Sequence, residues 1–128
     1  MNAYDNTISY TDYVLHRTIE LLKQDTGRNA LLMYFSDHGE SLGENGIFLH
    51  GLPYMIAPDE QTHIPFVLWM SDGFARGHGI DKNCLSKGRA QPYSHDNIFH
   101  SLLGAFRIQT ELYQQKLDIL TQCRNNPG

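Results

Sequence analysis

Over the first two dozen positions, Ile8, Val14, Leu15, Ile19 and Leu22 recur mostly at intervals of three, four or seven, with polar and charged residues between them. This spacing predicts an amphipathic helix over residues 3–23. Tyr4, Tyr10 and Tyr13 share the helical spacing and are expected to extend its buried face, the alternative being a partner surface. Asp25, Thr26 and Gly27 stop the helix, and Gly27 can take a left-handed cap conformation. Residues 30–35, ALLMYF, follow with no alternation, the pattern of a strand buried on both faces of a parallel sheet. A second such run, residues 66–70, starts after Pro65, a residue tolerated at strand starts. A helix feeding a buried strand is the second half of a βαβ unit, whose first strand is not in this chain. The expected fold class is α/β, a mostly parallel sheet flanked by helices.

Between the two strands, Gly43, Asn45 and Gly46 mark a loop, residues 47–49 form a short apolar segment, and Pro53 and Pro58 keep the connection irregular. After the second strand, Gly77, Gly79, Gly88 and Pro92 predict a loop-rich stretch whose basic residues read as solvated surface. Ser94 is a suitable cap for a helix starting near His95, with Ile98, Phe99, Leu102, Leu103 and Phe106 as its apolar face. Asp96, in its first turn, suits the positive end of the helix dipole. Residues 118–120 predict a short final element, and residues 125–128 a tail.

Composition changes this picture little. A chain of 128 residues with 41% hydrophobic and 19% charged positions is one globular domain or a piece of one. Its net charge of -4 and lack of a Lys/Arg cluster give no support to nucleic-acid binding. No apolar run approaches the ~20 residues needed to span a bilayer, and no signal-peptide pattern follows Met1. Cys84 and Cys123 fit no metal motif. They are either one disulfide, in an oxidising compartment, or two unpaired thiols. The phosphate-binding G-x-x-x-x-G-K-[ST] loop and the G-x-S-x-G elbow are both absent.

The candidate chemistry lies where the first strand ends, in YFSDHGESLGENGIFLHG, residues 34–51. In open α/β sheets ligands bind beyond the carboxyl ends of strands, the expected place of Asp37 and His38. Neighbouring side chains of a regular strand face opposite ways, so both reach one ion only if the strand breaks. Gly39, free to take angles other residues avoid, is read as that break. A carboxylate beside an imidazole makes zinc the leading metal, since calcium or magnesium would draw on oxygens alone. The competing reading is a polar turn in which Asp37 caps local amides and His38 is exposed. His50 is expected to contact substrate or a second metal, with Glu40 a nearby contributor. His63 is a weaker candidate, because the amino end of a strand in a parallel sheet lies away from the site.

The strings SDHGESLGENGIFLHG, THIPFVLWMSDG and YSHDNIFHSLLG, with AYDNTISYTDY near the start and LDILTQCR near the end, resemble the periplasmic domain of bacterial phosphoethanolamine transferases. These are lipid A modifying enzymes of the alkaline phosphatase superfamily and include the mobile colistin-resistance enzymes. The resemblance implies that residues 1–128 are the carboxyl-terminal portion of an alkaline-phosphatase-like, sulfatase-like catalytic domain on the periplasmic face of the inner membrane. The amino-terminal part and the membrane helices would lie upstream. It further implies a zinc-activated threonine that moves phosphoethanolamine from phosphatidylethanolamine to a lipid A phosphate through a phosphothreonine intermediate. By position, Asp37 and His38 would be zinc ligands, with Glu40, His50 and His63 toward substrate or a second metal. No threonine of this chain stands in the nucleophile's context, so no catalytic nucleophile is expected here and the segment alone is expected to be inactive. Alternatives are another enzyme of the superfamily, a sulfatase or phosphoglycerol transferase, or a noncatalytic, metal-free module.

Overall fold

Helix α1 (Asn2–Gln24) forms where the periodicity places it, one residue longer at each end. Three of its threonines return their hydroxyls to the backbone, among them Thr18, whose Oγ1 donates to the Val14 carbonyl at 2.8 Å. Leu15, Ile19 and Leu22 are half-buried, but Ile8, Tyr10, Tyr13 and Val14 are exposed. The expectation that the tyrosines extend a buried face therefore fails at Tyr10 and Tyr13. Periodicity tells which residues share a face, whereas burial depends on what is laid against it.

The computed structural model describes residues 2–125, which divide after Ser71 into two compact units. In the first unit, β1 (Leu31–Phe35) pairs with β4 (Phe66–Met70), and β2 (Ser41–Leu42) with β3 (Phe48–Leu49). Both pairings are antiparallel, which corrects the expectation of a mostly parallel sheet among the described residues. A parallel pair needs a crossover, usually a helix of several turns. The chain between β1 and β4 offers only short strands, turns and the four-residue helix α2 (Asp59–Thr62). The β1–β4 register sets Leu31 against Met70 and Phe35 against Phe66. A pair of bonds closes its open end: the Ser71 amide donates to the Ala30 carbonyl at 2.9 Å, and the Ala30 amide to the Ser71 hydroxyl at 3.0 Å. The turn between β2 and β3 runs through Gly43 (φ 123°), where a Cβ would meet the Phe48 ring at 3.0 Å.

In the second unit, two helices occupy the stretch expected to be loop-rich, α3 (Asp72–His78) and α4 (Lys82–Lys87). Asp81 caps α4, accepting the amides of Asn83 and Cys84. The glycines that suggested a loop sit inside or just beyond these short helices, where each costs only about 1 kcal/mol. Helix α5 (Asp96–Ala105) forms as expected, but at its start the side chain of Asn97 accepts the Ser94 amide at 2.8 Å, in place of a cap by Ser94.

The buried face of α5 is also not the predicted one. Asn97, His100, Ser101, Gly104 and Ala105 are buried, while Phe99, Leu102 and Phe106 are exposed. The polar side chains can be buried because each bonds the returning chain. Asn97 Nδ2 donates to the Leu117 carbonyl, His100 Nδ1 accepts the Gln114 amide, and Ser101 Oγ accepts the Ile119 amide. Gly104 admits the carboxylate of Asp118, which a Cβ would strike. Fully buried Asp118 accepts Tyr113 Oη, Thr121 Oγ1 and the Leu120 amide, so the expected short element at residues 118–120 is the core of this unit. Of the predicted tail, residues 126–128 lie outside the described residues.

Cys84 and Cys123 are joined by a disulfide across a separation of 39 residues, which decides between the two alternatives. Closing a loop of that length restricts the unfolded chain by about 4 kcal/mol in the chain-entropy account. Replacing both cysteines by serine should lower the unfolding free energy by about 2–4 kcal/mol in urea titrations; an unchanged midpoint would contradict this role. His78 stacks on Phe74 with ring centroids 4.1 Å apart, and its pKa is lowered by burial and then by the charges of Arg107 and Arg124. The unfolded chain therefore takes up this proton more readily than the folded one, so stability should decline as pH falls below about 6.5. A His78→Gln variant should flatten that decline between about pH 7 and 5.5.

Candidate metal centre

Beyond Phe35 the chain turns through Ser36, Asp37 and His38, and local hydrogen bonds fix the turn. Ser36 Oγ donates to the His38 carbonyl at 2.7 Å, and the His38 amide donates to Asp37 Oδ1 at 3.2 Å. His38 Nδ1 lies 2.9 Å from the Gly39 carbonyl. A carbonyl can only accept, so Nδ1 carries the proton and Nε2 keeps its lone pair for a ligand. Asp37 Oδ2 stands 3.8 Å from that Nε2, on a carboxylate that is 88% exposed. Oxygen and nitrogen ligands of a tetrahedral zinc, each about 2.0–2.2 Å from the ion, lie about 3.4 Å apart. The pair therefore fits a shared zinc with a shift of a few tenths of an ångström.

Gly39 serves a different purpose from the one its sequence suggested. It is absent from the described residues with positive φ, so conformational freedom is not what the position uses. Its amide donates to the Gln61 carbonyl at 2.9 Å, and a Cβ here would collide with the Glu60 carbonyl. Glycine is needed because another backbone passes against it.

Gln61 is the residue that the sequence reasoning missed. Buried to 6% exposure, it accepts the Gly39 amide through its own carbonyl, donates from Nε2 to Ser41 Oγ at 2.9 Å, and accepts the Leu52 amide on Oε1 at 3.3 Å. It thereby holds the two segments that flank Glu40 and His50. In the sequence it sits within DEQTH, which reads as solvated surface. Only the antiparallel pairing brings the approach to β4 alongside the end of β1 and reveals its place.

Glu40 and His50 meet directly, with Oε2 and Nδ1 2.8 Å apart. The His50 ring stacks on that of His38 at a centroid distance of 3.7 Å. Leu49 (φ 67°) and Gly51 (φ 101°), both left-handed, bend the chain on either side of His50. Ligand atoms of His38, Glu40 and His50 lie within 4.8 Å of one another. Asp37 joins this trio only through His38. His63 is exposed and outside it, and its amide closes α2 by donating to the Asp59 carbonyl at 2.7 Å. Two imidazoles with a carboxylate suit a borderline divalent ion such as zinc.

A family model described as Sulfatase matches residues 1–108. The chain is 50% identical over 126 residues to the phosphoethanolamine transferase EptA of Escherichia coli K12, covering 97% of this chain and 23% of that protein. It is 44% identical over 109 residues to the phosphatidylethanolamine transferase Mcr-2 of Escherichia coli, covering 84% of this chain and 19% of that one. The crystal structure of the soluble domain of lipooligosaccharide phosphoethanolamine transferase A from Neisseria meningitidis superposes with a TM-score of 0.91 at 44% identity, over 96% of this chain and 37% of that one. The C-terminal periplasmic domain of EptC from Campylobacter jejuni does so with a TM-score of 0.83 at 46% identity, over 97% and 39%. The chain thus spans about a quarter of the length of the Escherichia coli EptA relatives it matches.

Because Gly39 and Gln61 hold the cluster without ligating, altering either should loosen it. Gly39→Ala and Gln61→Ala should each weaken zinc binding by about 10–100-fold, as outer-shell changes do. The Gln61 change should also cost about 1–3 kcal/mol of stability, through the partners left unpaired. Competition with a chromophoric chelator measures the first, and His63→Ala serves as the control that leaves affinity unchanged.

Proposed function

The chain belongs to the sulfatase family, and from that premise we propose that it forms the carboxyl-terminal portion of the periplasmic catalytic domain of a zinc-dependent lipid A phosphoethanolamine transferase. The observation that carries this reading is the Asp37–His38 pair, 3.8 Å apart, with the free Nε2 of His38 facing the carboxylate. Similarity to proteins named as phosphoethanolamine transferases, including a Kdo(2)-lipid A phosphoethanolamine 7''-transferase of Escherichia coli, supports the substrate class: phosphatidylethanolamine as donor and lipid A as acceptor. Likeness to the integral membrane protein lipooligosaccharide phosphoethanolamine transferase A of Neisseria meningitidis supports placement at the periplasmic face of the inner membrane. Among the described residues no helix is long and apolar enough to cross a membrane.

Asp37 and His38 would hold the zinc. When bound there, zinc stabilises charge on phosphoryl oxygens and lowers the pKa of an attacking hydroxyl. The Gly39 carbonyl keeps the His38 ring in the tautomer that presents Nε2. Glu40 orients His50 through Nδ1, which leaves His50 Nε2 to hold a phosphoryl oxygen or a second metal. The reading assigns the nucleophile and the remaining zinc ligands to sequence outside this chain, consistent with the 23% of its relative that the chain spans. It assigns no contact to His63. The family match favours one second reading, sulfate ester chemistry, and a cysteine nucleophile upstream would select it.

In a longer protein carrying this segment, Asp37→Ala or His38→Ala should reduce transfer of labelled phosphoethanolamine to lipid A by at least about 100-fold, the scale of losing metal-assisted charge stabilisation. The isolated 128-residue chain should show none. Transfer by the isolated chain, or full activity in the Asp37→Ala, His38→Ala double variant, would overturn the proposal.

A further inference from the structure

Among the described residues, three positions other than glycine have a positive φ: Asn45 (55°), Leu49 (67°) and Arg107 (53°). Two of them have ordinary explanations. Asparagine tolerates the left-handed region because its short polar side chain can bond locally. Arg107 follows the last turn of α5, where its amide donates to the Gly104 carbonyl at 3.2 Å and the Ile108 amide to the Leu103 carbonyl at 2.9 Å, the paired bonds of a left-handed helix end. Neither explanation serves Leu49. It ends β3, and its side chain is 68% exposed, so packing among the described residues does not compel its conformation.

Backbone strain of this kind persists only where the surroundings impose it, and it gathers at functional sites. Leu49 immediately precedes His50. In the β2–β3 register Leu49 stands opposite Ser41, and one step further His50 meets Glu40, whose Oε2 lies 2.8 Å from Nδ1. Ser41 is buried and held by Gln61 Nε2, which anchors the ladder before the bend. Beyond the bend, Gly51 (φ 101°) turns the chain again and the Leu52 amide is tied to Gln61 Oε1 at 3.3 Å. The left-handed well is small for any residue with a Cβ and wide for glycine. Leucine in that well therefore leaves His50 little room to move from its place against Glu40 and over the His38 ring, 3.7 Å away between centroids. We propose that Leu49 is a positioning residue for phosphoryl transfer, its left-handed backbone fixing the His50 imidazole so that Nε2 is already in place for the phosphoryl group. The inference rests on the transferase reading above and deepens it by naming what holds His50 besides Glu40.

The test uses a longer protein carrying this segment, with labelled phosphatidylethanolamine as donor and lipid A as acceptor. Leu49→Gly should lower kcat at least about tenfold with KM within about twofold, because a loosened group is lost to the transition state more than to ground-state binding. Its zinc content should match that of the unaltered protein, since Asp37 and His38 are untouched. Its melting temperature should be no lower, because glycine relieves the strain. A residue with a merely structural role would instead lose stability and activity together. Leu49→Asn, which accepts the left-handed turn without glycine's freedom, should recover kcat to within about threefold of the unaltered protein. Full kcat in Leu49→Gly overturns the proposal, as does a melting temperature that falls in step with activity, or Leu49→Asn as impaired as Leu49→Gly. Loss of zinc from Leu49→Gly also overturns it, by making the effect one on the metal. Each of these results leaves the transferase reading standing. Absence of transfer by the unaltered longer protein would overturn that reading and this inference with it.

Discussion

A single buried glutamine side chain and its peptide group bear the geometry of the candidate site. Gln61 bonds Gly39, Ser41 and Leu52 at once, and these residues bracket Glu40 and lead to His50. A buried amide left unpaired costs about 1–3 kcal/mol, so the three bonds stand or fall nearly together. Gly39 is the complementary half of the arrangement, since only a residue without a Cβ lets the Glu60 carbonyl pass. Two imidazoles and a carboxylate from positions 38, 40 and 50 are thereby held with ligand atoms within 4.8 Å of one another by groups outside the cluster.

The direction of β4 makes this possible. Antiparallel pairing sets Phe66 against Phe35, so the segment entering β4 arrives at the end of β1 where Asp37 and His38 emerge. A parallel strand would have brought its opposite end there and left residues 59–65 remote. The same reversal returns His63 to the neighbourhood that the sequence had denied it, yet its imidazole stays exposed and outside the cluster, its amide closing α2. Proximity of chain is not convergence of side chains.

The parts legible in the sequence were those written in local pattern. The apolar runs marked β1 and β4, the heptad-like spacing marked α1, and the string from Asp37 to His50 contains the residues that the structure gathers into the candidate cluster. What escaped were properties fixed by partners distant in sequence: the direction of a strand pair, the reason for Gly39, and the buried face of α5. That last case is instructive, because Phe99, Leu102 and Phe106 looked like the inward stripe, and the structure buries Asn97, His100 and Ser101. The polar residues could be recognised as inward only once Leu117, Gln114 and Ile119 were seen to meet them. The disulfide was open for the same reason, two cysteines being insufficient to state their own pairing.

The central claim is that Asp37 and His38 of this segment hold a zinc ion beside a His50 oriented by Glu40, and a zinc titration followed through the imidazole NMR resonances tests it most directly. The account predicts that His38 responds and saturates near one equivalent, with His50, stacked on it at 3.7 Å, shifting in step, while the other five of the chain's seven histidines, His63 among them, do not. Independent responses of His38 and His50, or a response shared evenly by all seven, would contradict it.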